Sequence, residues 1–417
     1  MARSAFTLAA AVTAALPGAE VTGARALTAG GDARFDSAVA TLADGRELTI
    51  RVADADDTAR ELAAEALALR ALTPGARAIL PFQVPDYIGE TGIGDGRALV
   101  TGLLDGFLVE AGDVPAGRGA AVSMGRAIAA IHALPASVVR GAGLPARSSE
   151  EVRSEIRQLV DRAGATGRVP ARLTVRWREA ADDDELWRFE SAVTLGGAQA
   201  TSFLFADDEA EGPQVTGVIG WHGLSLGDPA ADLAWLSSAP NAASDVQAAY
   251  TAASDRAPDA AIGVRARLIA ELEFARWLVH GDALRRPDIV DDAAALLDSL
   301  AEGLHGDDLA VIAERGDGVD SALAALDSVP ERPAEGVDTS MQTDAYNPED
   351  LWLETAGVEP VGDPEATAEI RVDADLLPRD GEDDRPGGGD DAGTDSADEA
   401  QRAARAALQR WTSSASE

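Results

Sequence analysis

The sequence predicts an α+β protein. A small antiparallel sheet comes first, a mainly helical region follows, and an acidic tail ends the chain. Three observations predict this order. Alternating apolar residues flank the Asp44-Gly45 turn near the N-terminus. From about residue 117 the apolar spacing becomes helical and stays so, apart from a cluster of short apolar runs between Ala192 and Trp221. After Pro330 the composition changes: residues 331–417 hold 23 acidic and 7 basic residues, a net charge of −16.

The chain opens on "MARSAFTLAAAVTAALPGA". One Arg, an apolar run and small residues are the pattern of a secretory leader. The run is mostly Ala with interspersed Thr and passes straight into domain-like sequence, so it reads as an opening helix and the chain as cytoplasmic. Next, "AVATLADGRELTIRV" (Ala38–Val52) reads as a hairpin, because Asp-Gly between alternating strands is the strongest short hairpin signal. "TARELAAEALALRAL" (Thr58–Leu72) is rich in helix formers, and "RALVTGLL" (Arg97–Leu104) reads as another strand. Residues 1–104 therefore form a sheet-rich lobe.

Residues 105–330 form the helical lobe. "GRGAAVSMGRAIAAIHALP" is a helix stopped by Pro135, and "SSEEVRSEIRQLVDRAG" is one opened by a Ser148-x-x-Glu151 capping box. "AVTL", "TSFLFA" and "VTGVIGW" are short strands. Helices resume at Asp228, a cap followed by Pro229, and continue to about residue 328. Beyond lies the 331–417 tail, where "DGEDDRPGGGDDAGTDSADE" has too little apolar surface to fold. Two islands in it, "NPEDLWLE" around Trp352 and "SADEAQRAARAALQRW" ending at Trp411, read as a solvated tail with residual helicity or as docking peptides for a protein partner.

Composition narrows the function classes. Hydrophobic residues make up 46%, enough for a sizeable core. Cysteine is absent, which removes disulfides, thiol nucleophiles and cysteine-ligated metals. All 35 basic residues are arginine, and the net charge of −37 disfavours nucleic acid and anionic membranes as partners. No run approaches 18 uninterrupted apolar residues, so no membrane span is expected.

"LTIRV", "EALALRAL", "GRAIAAIHALP" and "GDPAADLAW" together resemble the aminoglycoside and macrolide phosphotransferases, over about residues 1–310. The resemblance implies a protein-kinase-like fold of two lobes. It places Arg51 of "LTIRV" where a basic residue holds nucleotide phosphates, and Glu65 as its helical partner, with Glu61 one turn earlier. An ordinary strand-to-helix ion pair explains the same two residues. Arg is bulkier and more rigid than Lys, so it is not a neutral replacement. The phosphate-covering loop would be "LTAGGDARFDS", around Gly30-Gly31, though a plain turn is the better reading of two adjacent glycines.

The family's catalytic loop reads His-Gly-Asp-Leu, three residues, then Asn; a later strand leads to Asp-Trp. The loop Asp takes the hydroxyl proton, and the Asn and second Asp hold Mg²⁺. Here the frame "AVTLGGAQATSFLFAD" and "TGVIGWHGLSLGDPAADLAW" places Gly197, Ser202 and Gly220 at those three positions. No catalytic residue and no metal ligand is therefore assigned.

Two downstream triplets, His280-Gly281-Asp282 and the one in "LHGDDL" at His305, lie in helical context, with Gly281 expected as a C-terminal cap. His132 reads as a packed structural residue, His222 as within reach of the cleft, and Asp207-Asp208 as an exposed charge run. The resemblance thus implies a pseudo-phosphotransferase serving as a binding or scaffolding module without a nucleotide cofactor. The alternative is an active enzyme using Mg-ATP or Mg-GTP to phosphorylate a hydroxyl on an antibiotic or sugar-like substrate.

Overall fold

Ser4 caps the first helix: its Oγ accepts the Thr7 amide at 3.2 Å at the start of α1 (Ala5–Ala15). The computed structural model describes residues 3–27, 34–53, 55–94 and 96–304. After α1 come β1 (Val21–Ala26), β2 (Asp36–Leu42) and β3 (Glu47–Ala53), with Gly45 at φ 85° in the β2–β3 turn. Then follow α2 (Asp56–Ala71), a short α3 (Pro74–Ala78), β4 (Tyr87–Ile93) and β5 (Gly96–Gly102). The five strands form one antiparallel sheet in the order β1-β2-β3-β5-β4.

Period-two alternation gives this sheet two apolar faces. Leu48, Ile50 and Val52 of β3, with Ala98 and Val100 of β5, meet Leu8 and Val12 of α1. Ala53 and Leu99 point the other way, against Leu62 and Ala66 of α2. The N-terminal lobe is thus a three-layer sandwich. Residues 5–15 supply one of its layers, which agrees with the reading of an opening helix. Leu8 and Val12 are buried, each worth about 1.5–3 kcal/mol against exposure. The sequence reading missed β1 and β4.

The second lobe begins with α4 (Ala120–His132) and α5 (Ala136–Gly141), separated by Pro135 as expected. Helix α6 (Ser149–Ala165) carries the anticipated capping box: Ser148 Oγ accepts the Glu151 amide at 3.3 Å, and Glu151 returns the contact to the Ser148 amide at 2.8 Å. Helix α7 (Ala171–Asp182) follows, then β6 (Ala192–Thr194), β7 (Phe203–Asp208), β8 (Gly212–Val218) and β9 (Ser225–Gly227). Strands β6 and β9 pair, as do β7 and β8. Asp228 caps the next segment as predicted, but Pro229–Ser238 winds as a 3₁₀ helix. Helices α8 (Ala243–Ala253), α9 (Ile262–Ala283) and α10 (Pro287–Gly303) complete the described chain. Among the described residues, no helix is long and apolar enough to cross a membrane.

Two buried arginines hold the second lobe. Arg265 donates to both Asp228 oxygens at 2.9 and 3.1 Å and to Asp259 at 2.5 Å. Burial pushes the Asp228 carboxyl up, against the pull of Arg265. Arg176 and the Trp177 indole both donate to Glu271.

The His280-Gly281-Asp282 triplet requires a correction. Gly281 does not cap the helix; the triplet lies inside the last turn of α9. The turn comes later, at Arg285, with φ 55°. Gly281 is needed because α10 packs there: a Cβ would sit 2.7 Å from Ile289 Cγ2.

Candidate functional site

The cleft side of α2 carries two carboxylates one turn apart, as an i, i+4 spacing dictates. Glu65 is buried and forms an ion pair with Arg51 of β3. The Arg51 guanidinium also lies 5.6 Å from the Phe35 ring centroid. Glu61 takes Arg34 at 2.8 Å and has His222 Nδ1 at 3.6 Å. Helix α2 is thereby tied to the base of β2, to β3 and to the loop after Gly220. The Gly30-Gly31 loop lies outside the described residues, as do His305 and the segments around Trp352 and Trp411.

The loop after β6, which the resemblance aligns with the family's catalytic loop, is held through its backbone. Asp232 is fully buried beneath it. Its Oδ2 accepts the Leu195 amide at 2.7 Å; its Oδ1 accepts the Gly197 and Ala198 amides at 2.8 and 3.0 Å. His132 Nε2 adds a contact to Asp232 at 3.2 Å, and Nδ1 meets the Tyr250 hydroxyl at 3.0 Å. A carboxylate only accepts, so Nε2 carries the proton; in the neutral ring Nδ1 then accepts from Tyr250. Burial pushes the Tyr250 phenol up to about 12. His132 is therefore the packed, hydrogen-bonded residue the sequence suggested.

Gly196 cannot carry a side chain, because a Cβ would lie 2.4 Å from the Gly223 carbonyl oxygen. Gly197 is different. No atom lies within 4 Å of its would-be Cβ, but its φ is +120°. That region is close to glycine-only. Space admits a carboxylate there; the backbone conformation would strain it.

Ser202 and Gly220, which the resemblance aligns with the metal-binding positions, lie side by side. Ile219 donates its amide to the Ser202 carbonyl at 2.9 Å, which draws the ends of β7 and β8 side by side. A Cβ on Gly220 would lie 3.8 Å from Ser202 Oγ. Gly220 sits at φ 77°, ψ 43°, the left-handed region that Asp tolerates. Ser202 Oγ accepts the Gln199 amide at 3.1 Å. Mg²⁺ prefers several hard oxygens in octahedral geometry, usually with one or two carboxylates. One hydroxyl and a bare glycine do not fit that ion. Asp207 and Asp208 lie exposed at the far end of the β7–β8 hairpin, where Asp208 Oδ1 accepts the Ala210 and Glu211 amides.

On the other side of Gly196 and Gly197 opens a cavity of about 740 Å³, between α6, α9 and the Pro229–Ser238 segment. Its lining mixes apolar and polar groups, and its size falls in the range of small-molecule sites. The sequence reading missed this cavity and also the role of Asp232. Its only signal was the apolar face of α6 combined with arginines on the same helix.

Two lobes, a strand-to-helix ion pair and a loop–strand–turn–strand frame over a C-lobe cavity define a kinase-like small-molecule phosphotransferase fold. The sequence model of the phosphotransferase enzyme family matches residues 26–263, and the chain belongs to that family. Solved structures agree in fold. Macrolide 2′-phosphotransferase from Brachybacterium faecium is 23% identical, with a TM-score of 0.55, over 67% of this chain and 94% of that one. Macrolide 2′-phosphotransferase type I is 22% identical, with a TM-score of 0.54, over 69% and 94%. The GDP complex of aminoglycoside 2′-phosphotransferase-IIIa is 15% identical, with a TM-score of 0.58, over 72% and 99%. No curated protein matches the chain.

Proposed function

We propose that this chain is a pseudo-phosphotransferase: a family fold retained as a binding module, with phosphoryl transfer lost. The observation that carries the reading is Gly197 at φ +120°, where the base should stand. A substitution alone could be reverted by one codon; a loop settled in a glycine-only conformation has lost the geometry as well. Ser202 and Gly220 remove the carboxylate-bearing metal site beside it. Loss of a general base costs about 10²–10⁴ in rate, and the metal's charge stabilisation goes with it. The Arg51–Glu65 pair then ties β3 to α2, whether or not a phosphate reaches it. On this reading the chain needs no Mg-ATP or Mg-GTP, and the tail segments around Trp352 and Trp411 present peptides to a protein partner.

The test is a thermal melt with Mg-ATP and Mg-GTP, with and without chelator, beside a phosphate-transfer assay on macrolide and aminoglycoside acceptors. No metal-dependent shift and no transfer are expected. A shift of several degrees that chelator abolishes would end this reading. Capture of a partner by the full chain but not by residues 1–330 would support the tail's part in it.

A further inference from the structure

The cavity beneath Gly196 and Gly197 has a charge arrangement that selects its occupant. Its carboxylates are already engaged. Glu155 accepts from Arg147 Nε at 2.7 Å, and Glu273 accepts from Arg276 Nη1 at 2.7 Å. Asp228 meets the cavity too, but both its oxygens are held from behind by Arg265, which does not line the cavity. Arg162, on the last turn of α6, is the one charged lining group without an ion-pair partner among the described residues. The rest of the wall mixes apolar residues, Ile156, Leu159, Phe274, Trp277 and Leu296 among them, with uncharged polar ones such as Gln158 and Ser237.

A polycationic ligand would find no unengaged carboxylate here. An amphipathic molecule with one acidic group would find both of its needs met: apolar surface for its body and a guanidinium for its acid. The chain's net charge of −37 acts at longer range and is screened beyond about 8 Å at physiological ionic strength. We propose that this cavity binds an amphipathic organic anion, its apolar body against α6 and α9 and its acidic group on Arg162. The proposal rests on the reading of the chain as a binding module, and it names the ligand class of that module.

Three probes decide it on the full chain: 1-anilinonaphthalene-8-sulfonate, an amphipathic monoanion; N-phenyl-1-naphthylamine, its uncharged counterpart; and kanamycin, a polycation. The sulfonate is expected to bind once per chain. Arg162→Gln should weaken it about tenfold, the scale of one charge-assisted contact, and Arg162→Lys should restore part of the loss. The same Arg162→Gln change should leave the uncharged probe untouched. Arg162 and Gln158 are both exposed, so their variants should fold. Gln158→Trp, which narrows the cavity, should weaken both fluorescent probes and so separates this site from adventitious surface binding. Sulfonate binding indifferent to Arg162, or kanamycin binding more tightly than the sulfonate, would overturn the proposal while leaving the catalytic reading intact. Phosphate transfer to any acceptor would do the reverse.

Discussion

Two sets of residues meet at the loop formed by residues 195–198. On one side stand Gly197, Ser202 and Gly220, which the resemblance aligns with an acid, an amide and a second acid. Behind it stand Asp232, His132 and Tyr250, a buried chain of hydrogen bonds ending on three loop amides. The first set works only when a substrate and a metal are present. The second works in every folded molecule, because an unpaired buried carboxylate or amide costs stability whatever the protein does. If phosphate transfer is lost, as proposed, only the second set is still needed for the fold. The ion pair of Arg51 and Glu65 belongs with the scaffold on this view, since Glu65 is buried and needs a cation regardless of nucleotide.

The comparison breaks most directly at Asp232. Replacing it with Ala strands three loop amides and His132 Nε2, and should cost about 4 kcal/mol in urea unfolding. Ser202→Ala removes one hydroxyl contact to the Gln199 amide and should cost about 1 kcal/mol. Equal losses from the two changes would erase the distinction between scaffold and relic.

Tyr250 sharpens it through pH. Its phenol is raised from 10.0 to about 12 by burial, so the folded state holds the proton more tightly than the unfolded chain does. The associated stability is fully present below pH 10 and disappears as pH climbs through about 12. Across that window the native chain should lose roughly 2–3 kcal/mol more than Tyr250→Phe does. Near pH 7 the variant should be the weaker one, by about 1 kcal/mol, through the lost bond to His132. Parallel alkaline profiles would mean that the phenol is not sealed in the scaffold.

Much of this was legible in the residues alone. The Asp44-Gly45 hairpin and the Ser148–Glu151 box follow from local chemistry at short spacing, the Arg51–Glu65 pairing was implied by the family resemblance, and the structure contains all three. Strands β1 and β4 were not legible. "VTGARA" and "YIGETGI" carry glycines and little apolar alternation, and they sit at the sheet edges where burial is partial. Asp232 gave no warning either. In "GDPAADLAW" it resembles any acid in a first helical turn; only the fold brings β6 across it. Gly281 misled for the opposite reason: a glycine near a helix end usually caps it, whereas here it makes room for Ile289. The +120° of Gly197 is a tertiary outcome, and a Gly-Gly pair only permits it.

That angle separates the two halves of the site the family would use, and the separation can be measured. Gly220 lies where Asp is tolerated, with open space beside Ser202 Oγ, so Gly220→Asp should cost under about 1 kcal/mol. Gly197→Asp forces a side chain into a conformation it avoids and should cost about 1–3 kcal/mol. Combining Ser202→Asn with Gly220→Asp should therefore create a Mg²⁺-dependent rise in melting temperature with nucleotide, still without transfer. The metal half would be rebuilt while the base half stayed closed. Transfer restored by adding Gly197→Asp at no cost in stability would show that the loop is free to resume the family's geometry, and Gly197 would then be a reversible loss.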